Sequence, residues 1–303
     1  MNPLRKPSWL DYRERGSRGA TQFMKWLALR CGRRLARLLL YPICAYFLVF
    51  SPRARSTSRQ YLALALGRPP RFADLWRHYF TFAATVLDRV YFIAGQFERF
   101  DIEVKGVDLL RRTLARGRGC LLLGAHLGSF ELMRTLAPEH RLPVNVVMYE
   151  DNAANIAGVL NPLLDPALRT RIIVPGEVDT MLRISECLAR GELVSLLGDR
   201  CAGSEKAVMC RFFGREAPFP QGPLLLAHSL RVPVMLLAGL YEGGRRYVIY
   251  VEAFCDEPAG DRAGRAAWIG EWAQRYAERL EHFCRTAPYN WFNFYDFWGQ
   301  SPR

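Results

Sequence analysis

CLLLGAHLGSFE, residues 120–131, decides the fold of this 303-residue chain. Its first four residues form a short, continuous apolar run, which is typical of a strand that is buried on both faces. Small residues on both sides of His126 then predict a tight turn. The residues that follow, Ser129–Leu136, have the pattern of a helix. The stretch therefore predicts a strand, a turn and a helix, with His126 at the turn.

The same alternation of strands and helices continues along the chain, without an internal repeat or a long linker. This alternation predicts an α/β fold with a mixed, mostly parallel central sheet that is flanked by helices on both faces. Strands are predicted at Asp101–Lys105, Cys120–Leu123, Val144–Tyr149, Arg171–Val174, Leu193–Leu197, Val208–Phe213, Val234–Leu240 and Arg246–Ala253. Helices are predicted at Ser58–Leu66, Phe72–Phe97, Val107–Arg116, Ala153–Leu164, Thr180–Ala189, Pro223–Ser229 and Ala263–Cys284.

His126 and Glu131 are the candidate catalytic residues. In open α/β sheets, sites gather at the carboxyl ends of the strands, which is where His126 falls. A carboxylate in the first turns of the next helix would fix the imidazole tautomer and stabilise its protonated form. Taken alone, an H-x4-E spacing also fits a structural histidine. The small residues around His126 favour a site that a substrate can approach.

The H-x4-E box resembles that of the lysophospholipid acyltransferase superfamily. Within it, the chain looks most like the late (lauroyl/myristoyl) acyltransferases of lipid A biosynthesis. Leu196–Arg200 (LLGDR) follows a predicted strand at the place where the glycerolipid acyltransferases of the superfamily carry a Pro-Glu-Gly-Thr-Arg block. Three further segments resemble the lipid A branch in order and spacing: Arg211–Ala217 (RFFGREA), Pro220–Ala227 (PQGPLLLA) and Val232–Val234 (VPV). The aromatic segment Trp291–Trp298 (WFNFYDFW) looks like that of a divergent subgroup.

This resemblance implies a membrane-associated acyltransferase. It would move a fatty acyl or related chain from an acyl carrier protein or CoA thioester to a hydroxyl of a lipid acceptor. His126 would act as general base, oriented by Glu131. No cofactor beyond the acyl donor, and no metal, is implied. The substrate-binding residues that the resemblance implies are Gly128, Asp199, Arg200, Phe212, Phe213 and Gly214.

Alternatives stay open for several of these residues and for the function. Arg200 fits either the stabilisation of a tetrahedral oxyanion or the binding of an acceptor phosphate. Asp199 and Arg200 also fit a structural ion pair, and Phe212–Gly214 fits packing as well as an acyl groove. A non-catalytic lipid-binding protein on the same fold, or a hydrolase whose His–Glu pair activates water, are the alternative functions.

Positive charge is concentrated near the start of the sequence. The formal net charge is +13, and residues 1–59 contain 13 Lys or Arg against Asp11 and Glu14. Four arginines fall on one helical face opposite an apolar face that includes Trp26, Leu35 and Leu38. This pattern predicts an interfacial element on an anionic membrane. The four arginines are Arg30, Arg33, Arg34 and Arg37.

An uncharged run, Leu38–Phe50, follows the arginines. It is shorter than the ~20 residues that span a bilayer, and Pro42 is expected to kink or stop a helix there. We therefore predict a membrane-associating segment at 1–55, and a helical lead-in with one α/β domain at 56–303. A single span, or a buried helix with a solvated arginine face, are the alternatives.

Composition limits the class and the location of the protein. A mean hydropathy of −0.06 argues against a polytopic membrane protein. Nucleic acid is not predicted as a partner, because the basic residues lead into an apolar run rather than into aromatic platforms. The eight cysteines include no C-x-x-C pair, which favours a reducing compartment. The predicted location is the cytoplasmic face of the inner (cytoplasmic) membrane.

Overall fold

The computed structural model of the chain describes residues 18–135, 144–147, 171–175, 179–201, 205–258 and 263–299. The helix predicted at Ala153–Leu164 lies outside the described residues, as does the end of the strand predicted at Val144–Tyr149. The described strands are β1 (Asp101–Lys105), β2 (Leu121–Gly124), β3 (Val144–Val147), β4 (Arg171–Ile173), β5 (Leu193–Leu197), β6 (Ala207–Phe212), β7 (Arg215–Pro220), β8 (Val234–Gly243) and β9 (Arg246–Cys255).

Seven of the described strands form one sheet in the order β1-β9-β8-β2-β5-β3-β4. All neighbouring pairs in this sheet are parallel except β8 and β9. The central strand β2 is buried along its whole length, as its continuous apolar sequence requires of a strand covered on both faces. The predicted α/β fold with a mixed, mostly parallel sheet is therefore confirmed.

Helices cover both faces of this sheet. Their bounds are α1 (Arg18–Cys31), α2 (Arg33–Phe50), α3 (Pro52–Leu66), α4 (Phe72–Ile93), α5 (Val107–Leu114), α6 (Thr180–Ala189), α7 (Gly222–Leu230) and α8 (Arg265–Thr286). Two short 3-10 helices lie at Phe97–Arg99 and Phe130–Thr135. The helix predicted at Ser129–Leu136 is the second of these. The predicted domain boundary after residue 55 falls inside α3, and the division itself stays a prediction.

The two faces of the sheet build two apolar cores. Side chains alternate along each strand, so Leu121 and Leu123 of β2 enter one core and Leu122 the other. The first core packs against α3, α6, α7 and α8. The second packs against α1, α4 and α5. Helices α2 and α4 contribute to both, so the N-terminal helices belong to the same packed cores as the sheet.

Arg33 and Arg37 hold α2 against the rest of the protein. The Arg33 guanidinium donates from Nε and Nη2 to the two carboxylate oxygens of Asp88, each at 2.6 Å. Arg37 donates to the Tyr241 hydroxyl at 3.0 Å and lies over the Phe80 ring. The expected single basic face is therefore wrong. Gly32, with φ of +86°, breaks the helix at this point, and only Arg30 and Arg34 of the four are exposed.

An apolar row covers the outer side of α1 and α2. On α2 the row occupies positions between the buried ones, which recur every four residues from Ala36 to Leu48. No single helix in the described residues is long and apolar enough to cross a membrane. Helices α2 and α3 reach that length and composition only together, with a bend of 96° between them. The row, with every side chain half or more exposed, consists of Phe23, Trp26, Leu35, Leu38, Tyr41, Tyr46, Val49 and Phe50.

Pro42 does not stop α2, although a stop was one of the two outcomes expected from the sequence. The helix continues from Arg33 to Phe50 with Pro42 inside it. Pro42 is exposed, so the ring and the lost backbone hydrogen bond fall on the outer side of the helix, away from the packed face.

Candidate active site

His126 and Asp199 meet because their strands are parallel neighbours. His126 follows β2, and Asp199 follows β5. The two strands pair in register from Leu121 with Val194 to Gly124 with Leu197. The carboxyl ends of parallel strands lie at the same edge of a sheet, so the two loops come together there.

The Asp199 carboxylate receives three hydrogen bonds. His126 Nδ1 lies 2.8 Å from Asp199 Oδ1, and the His126 backbone N–H donates to Oδ2 at 3.1 Å. The indole Nε1–H of Trp291 donates to the same Oδ2 at 3.0 Å. A carboxylate oxygen only accepts, so Nδ1 carries its proton in either charge state of the ring. The neutral imidazole therefore keeps its lone pair on Nε2.

The electrostatics of the pair favour a neutral imidazole and an ionised carboxylate. Desolvation lowers the pKa of His126 and the nearby Arg200 guanidinium lowers it further, which outweighs the opposite effect of Asp199. Burial alone would raise the pKa of Asp199. The imidazole, the Arg200 guanidinium and the Trp291 indole nevertheless hold that pKa below its usual range. Asp199 is fully buried, whereas 35% of the His126 side chain is exposed, so the site is open on the His126 side.

Arg200 lies beside this pair, and its hydrogen-bond donors are only partly satisfied by the protein. Its Nη2 donates to the Phe292 carbonyl at 2.7 Å, and its guanidinium lies over the Tyr295 ring at 5.5 Å. Its Nε is buried and has no hydrogen-bond partner among the described residues. A buried cationic N–H without a partner costs free energy, so this donor can gain from an anionic ligand.

Glu131 lies in the 3-10 helix after His126 and pairs with α4. Arg89 Nε donates to Glu131 Oε1 at 2.8 Å, and Arg89 Nη2 is 2.7 Å from the same oxygen. The sequence predicts that Glu131 orients His126. In the structure, Nδ1 contacts Asp199, a residue that the sequence predicts to bind substrate. The partner of His126 thus comes from a loop 73 residues further along the chain.

Gly128 allows two segments of backbone to come into contact. Its φ is +63°, and a Cβ at this position would lie 1.9 Å from the Gly239 carbonyl oxygen. Its N–H donates to the Asn290 carbonyl at 2.7 Å. The requirement for glycine here comes from packing, and its predicted contact with substrate is not tested by these distances.

Phe212, Phe213 and Gly214 form the turn of the β6–β7 hairpin. Phe213 and Gly214 both have positive φ, 52° and 72°, and they connect the paired residues Phe212 and Arg215, which describes a two-residue type I′ turn. Strand β7 was not predicted from the sequence. The buried Phe212 ring packs against Trp291 and Trp298. Because Trp291 donates to Asp199, this packing supports a residue that contacts the site.

The segment after α8 completes the site and was not predicted to do so. Leu127 forms an antiparallel bridge with Trp291, and the Phe292 N–H donates to the His126 carbonyl at 2.9 Å. Asn290 uses both ends of its amide on the backbone of Tyr241. The high density of aromatic residues at 291–298 was the one signal in the sequence that could have indicated a role of this segment at the site.

The comparison with known protein families shows the family of this chain. The family model described as bacterial lipid A biosynthesis acyltransferase matches residues 21–299. The chain belongs to this acyltransferase family. A search of curated proteins found no match. The resemblance drawn from the His126 box and the Phe212–Gly214 segment is thereby confirmed.

In the described part of this acyltransferase, an imidazole, a carboxylate and a guanidinium lie together at His126, Asp199 and Arg200. Within the same residues, no three His, Cys, Asp or Glu side chains are grouped as metal ligands would be. The absence of a metal and of a further cofactor stays a prediction.

Proposed function

We propose that this acyltransferase moves a fatty acyl chain from an acyl carrier protein or CoA thioester to a hydroxyl of a lipid acceptor, with His126 as general base. The observation that carries the proposal is the hydrogen bond from His126 Nδ1 to the buried Asp199 carboxylate. It leaves a lone pair on Nε2 of a neutral, partly exposed ring, which is what a general base needs at neutral pH.

In the proposed reaction, Nε2 takes the proton of the acceptor hydroxyl as its oxygen attacks the thioester carbonyl carbon. The tetrahedral intermediate then breaks its C–S bond. The leaving sulfur takes the proton back from the imidazolium, so an ester and a free thiol are formed. Asp199 keeps the ring in one tautomer and stabilises the imidazolium between the two proton transfers.

In this proposal, Arg200 binds a negatively charged group, either one that forms during the reaction or one that the acceptor carries. Its unpartnered Nε and its position beside His126 support either of two tasks. It stabilises the oxyanion of the tetrahedral intermediate, or it binds a phosphate of the acceptor. Glu131 acts on His126 only indirectly, because its ion pair with Arg89 of α4 fixes the 3-10 helix that follows the His126 loop.

We further propose that the apolar row on α1 and α2 lies in the cytoplasmic face of the inner membrane. A folded protein rarely exposes a contiguous row of large apolar side chains to water, and Trp, Phe and Leu are the residues that enter a lipid interface. Arg30 and Arg34 are exposed beside the row, where they would meet anionic head groups.

The test is acyl transfer by the purified full chain on vesicles that contain the acceptor. Acyl carrier protein and CoA thioesters are compared as donors, and the lipid products are identified by mass spectrometry. We expect H126A to lose transfer by about 10²–10⁴-fold, while the control H282A, at an exposed histidine of α8, keeps it.

Each alternative function gives its own result in this experiment. Free fatty acid released without acceptor, and lost in H126A, would identify a hydrolase. Lipid binding without turnover by any donor would identify a non-catalytic protein. An H126A variant with turnover within tenfold of the wild type would overturn the assignment of His126 as base.

A further inference from the structure

Trp291 lies directly behind the His126–Asp199 pair. Its indole Nε1–H donates to Asp199 Oδ2 at 3.0 Å, and the whole side chain is buried. The other two donors to this carboxylate both come from His126. Trp291 therefore supplies the one donor in the described residues that holds Asp199 from a segment other than the histidine's own loop.

An indole N–H suits this position chemically. It is a donor only and does not titrate in the range in which proteins function, so it cannot compete with His126 for a proton. Donation to Oδ2 draws negative charge from the carboxylate and fixes the plane of the carboxylate. That plane aims Oδ1 at His126 Nδ1, and so fixes the direction in which Nε2 points.

The position of Trp291 is itself fixed by a second histidine. His78 of α4 is completely buried, and its Nε2 donates to the Trp291 carbonyl at 2.9 Å, while its Nδ1 lies 2.6 Å from the Ser58 hydroxyl of α3. Burial lowers the pKa of His78 to about 4. Since the ring is neutral and donates from Nε2, Nδ1 accepts the Ser58 proton. The directions of these hydrogen bonds are therefore fixed.

We propose that Trp291 is a positioning residue for the transfer reaction: its N–H sets the orientation and basicity of Asp199, and through Asp199 those of His126. This inference rests on the proposed function of His126. It assigns to the aromatic segment after α8 a task at the site that goes beyond packing.

The proposal has a consequence for the pH profile. Without the indole donor, the Asp199 carboxylate is more basic, so the imidazolium–carboxylate pair holds its proton more strongly. The acid limb of the kcat/KM profile then moves to higher pH. A substitution at 291 leaves in place the other titratable groups that interact electrostatically with His126 or Asp199. They are Arg200, Cys201, Tyr276 and Cys284 of α8, and Tyr295.

The experiment compares W291F with W298F. Trp298 is a matched control, since it is a buried tryptophan of the same segment whose indole Nε1–H donates to the Phe212 carbonyl and not to Asp199. For W291F we expect kcat to fall about tenfold to a hundredfold with little change in KM, the loss that one hydrogen bond to a charged group gives. We expect its acid limb to move up by roughly half to one pH unit, and that of W298F to stay in place.

A second readout does not depend on activity. With 15N-labelled histidine, the Nδ1 and Nε2 shifts of His126, assigned by comparison with H126Q, report its tautomer. They should show one Nδ1–H tautomer in the wild type and W298F, and a mixture or a changed protonation midpoint in W291F. If W291F does not fold, 3-benzothienylalanine at position 291 keeps the fused rings and removes the N–H.

Two outcomes would overturn the inference. One is a W291F profile and kcat that match those of W298F. The other is a His126 tautomer and midpoint that remain unchanged when the N–H is removed. A wild-type protein without transfer activity but with the expected shifts would instead reject the proposed function and leave the positioning by Trp291 standing.

Discussion

At His126, the two ring nitrogens have different surroundings, and this difference sets what each can do. Nδ1 lies 2.8 Å from Asp199 Oδ1, while Nε2 has no hydrogen-bond partner among the described residues. The site residues therefore divide into those that hold the imidazole by hydrogen bonds and Arg200, whose positive charge lowers the pKa of the imidazole. Substitutions at each should have different signatures.

Replacing Asp199 by Asn tests which carboxylate orients the base. The amide can donate to Nδ1, which would place the proton on Nε2 and remove the lone pair that accepts the hydroxyl proton. We expect D199N to lower kcat by on the order of 10²–10⁴-fold. The matched change E131Q, which alters a carboxylate paired with Arg89, should cost much less. Equal losses in the two variants would return the orienting role to Glu131.

Replacing Arg200 by Gln should move the acid limb of kcat/KM to higher pH. In the proposed mechanism the rate needs neutral His126, and the Arg200 charge lowers the pKa of that imidazole. Neutralising it raises the pKa, so activity is lost at a higher pH as the solution is acidified. The measurement is kcat/KM from pH 5 to 8. R71Q, at an exposed arginine at the start of α4, serves as the control. A limb that stays in place in R200Q would show that the guanidinium does not act on the base.

At the scale of elements, α2 has two faces with different tasks. Its inner face enters both cores, and its outer face carries the apolar row. In the proposed function, membrane attachment and folding therefore depend on different residues of one helix. The same variant should not affect both.

The double variant L38Q/V49Q should release the protein from vesicles without lowering its Tm, because both side chains are about 60% exposed. L182Q, at an equally exposed leucine of α6, controls for a general loss of surface hydrophobicity. Co-sedimentation with neutral and anionic vesicles at low and high salt is the measurement. R30Q/R34Q should weaken only the salt-dependent binding to anionic vesicles. Undiminished sedimentation of L38Q/V49Q would place the attachment elsewhere.

At the scale of the whole molecule, the N-terminal helices are tied to the sheet by a buried charge. Asp88 of α4 is fully buried and is shared by Arg33 of α2 and the Tyr247 hydroxyl of β9. Three elements that are far apart in the sequence are thus joined at one carboxylate.

Removing Arg33 leaves the Asp88 carboxylate buried without its cation. We expect R33Q to lower the free energy of unfolding by about 3–5 kcal/mol, the usual cost of breaking a buried ion pair from one side. R34Q, at the exposed neighbour, should be neutral. Urea titration measures both, and the double variant R33Q/D88N should recover part of the loss. An R33Q variant as stable as R34Q would show that the pair contributes nothing to stability.

The sequence predicts the parts of this molecule that depend on neighbouring residues. The sheet follows from local apolar runs, and His126 from its place between a strand and a helix. The contact of His126 with Asp199 spans 73 residues and that of Asp199 with Trp291 another 92, and no local pattern encodes such distances. Strand β7 was missed because Pro218 and Pro220 are unfavourable in a strand interior, although a two-stranded hairpin tolerates them at its edge.

The late position of Trp291 in the sequence also bears on how the protein is made. Every described strand of the sheet leaves the ribosome before residue 291 does, so a nascent chain can assemble β2 beside β5 while Asp199 still lacks its third donor. The buried Asp199 carboxylate has all three of its hydrogen-bond donors only after α8 and the segment beyond it have been translated. Synthesis of the sheet and completion of the reactive centre are thereby separated in time, and the centre is finished last.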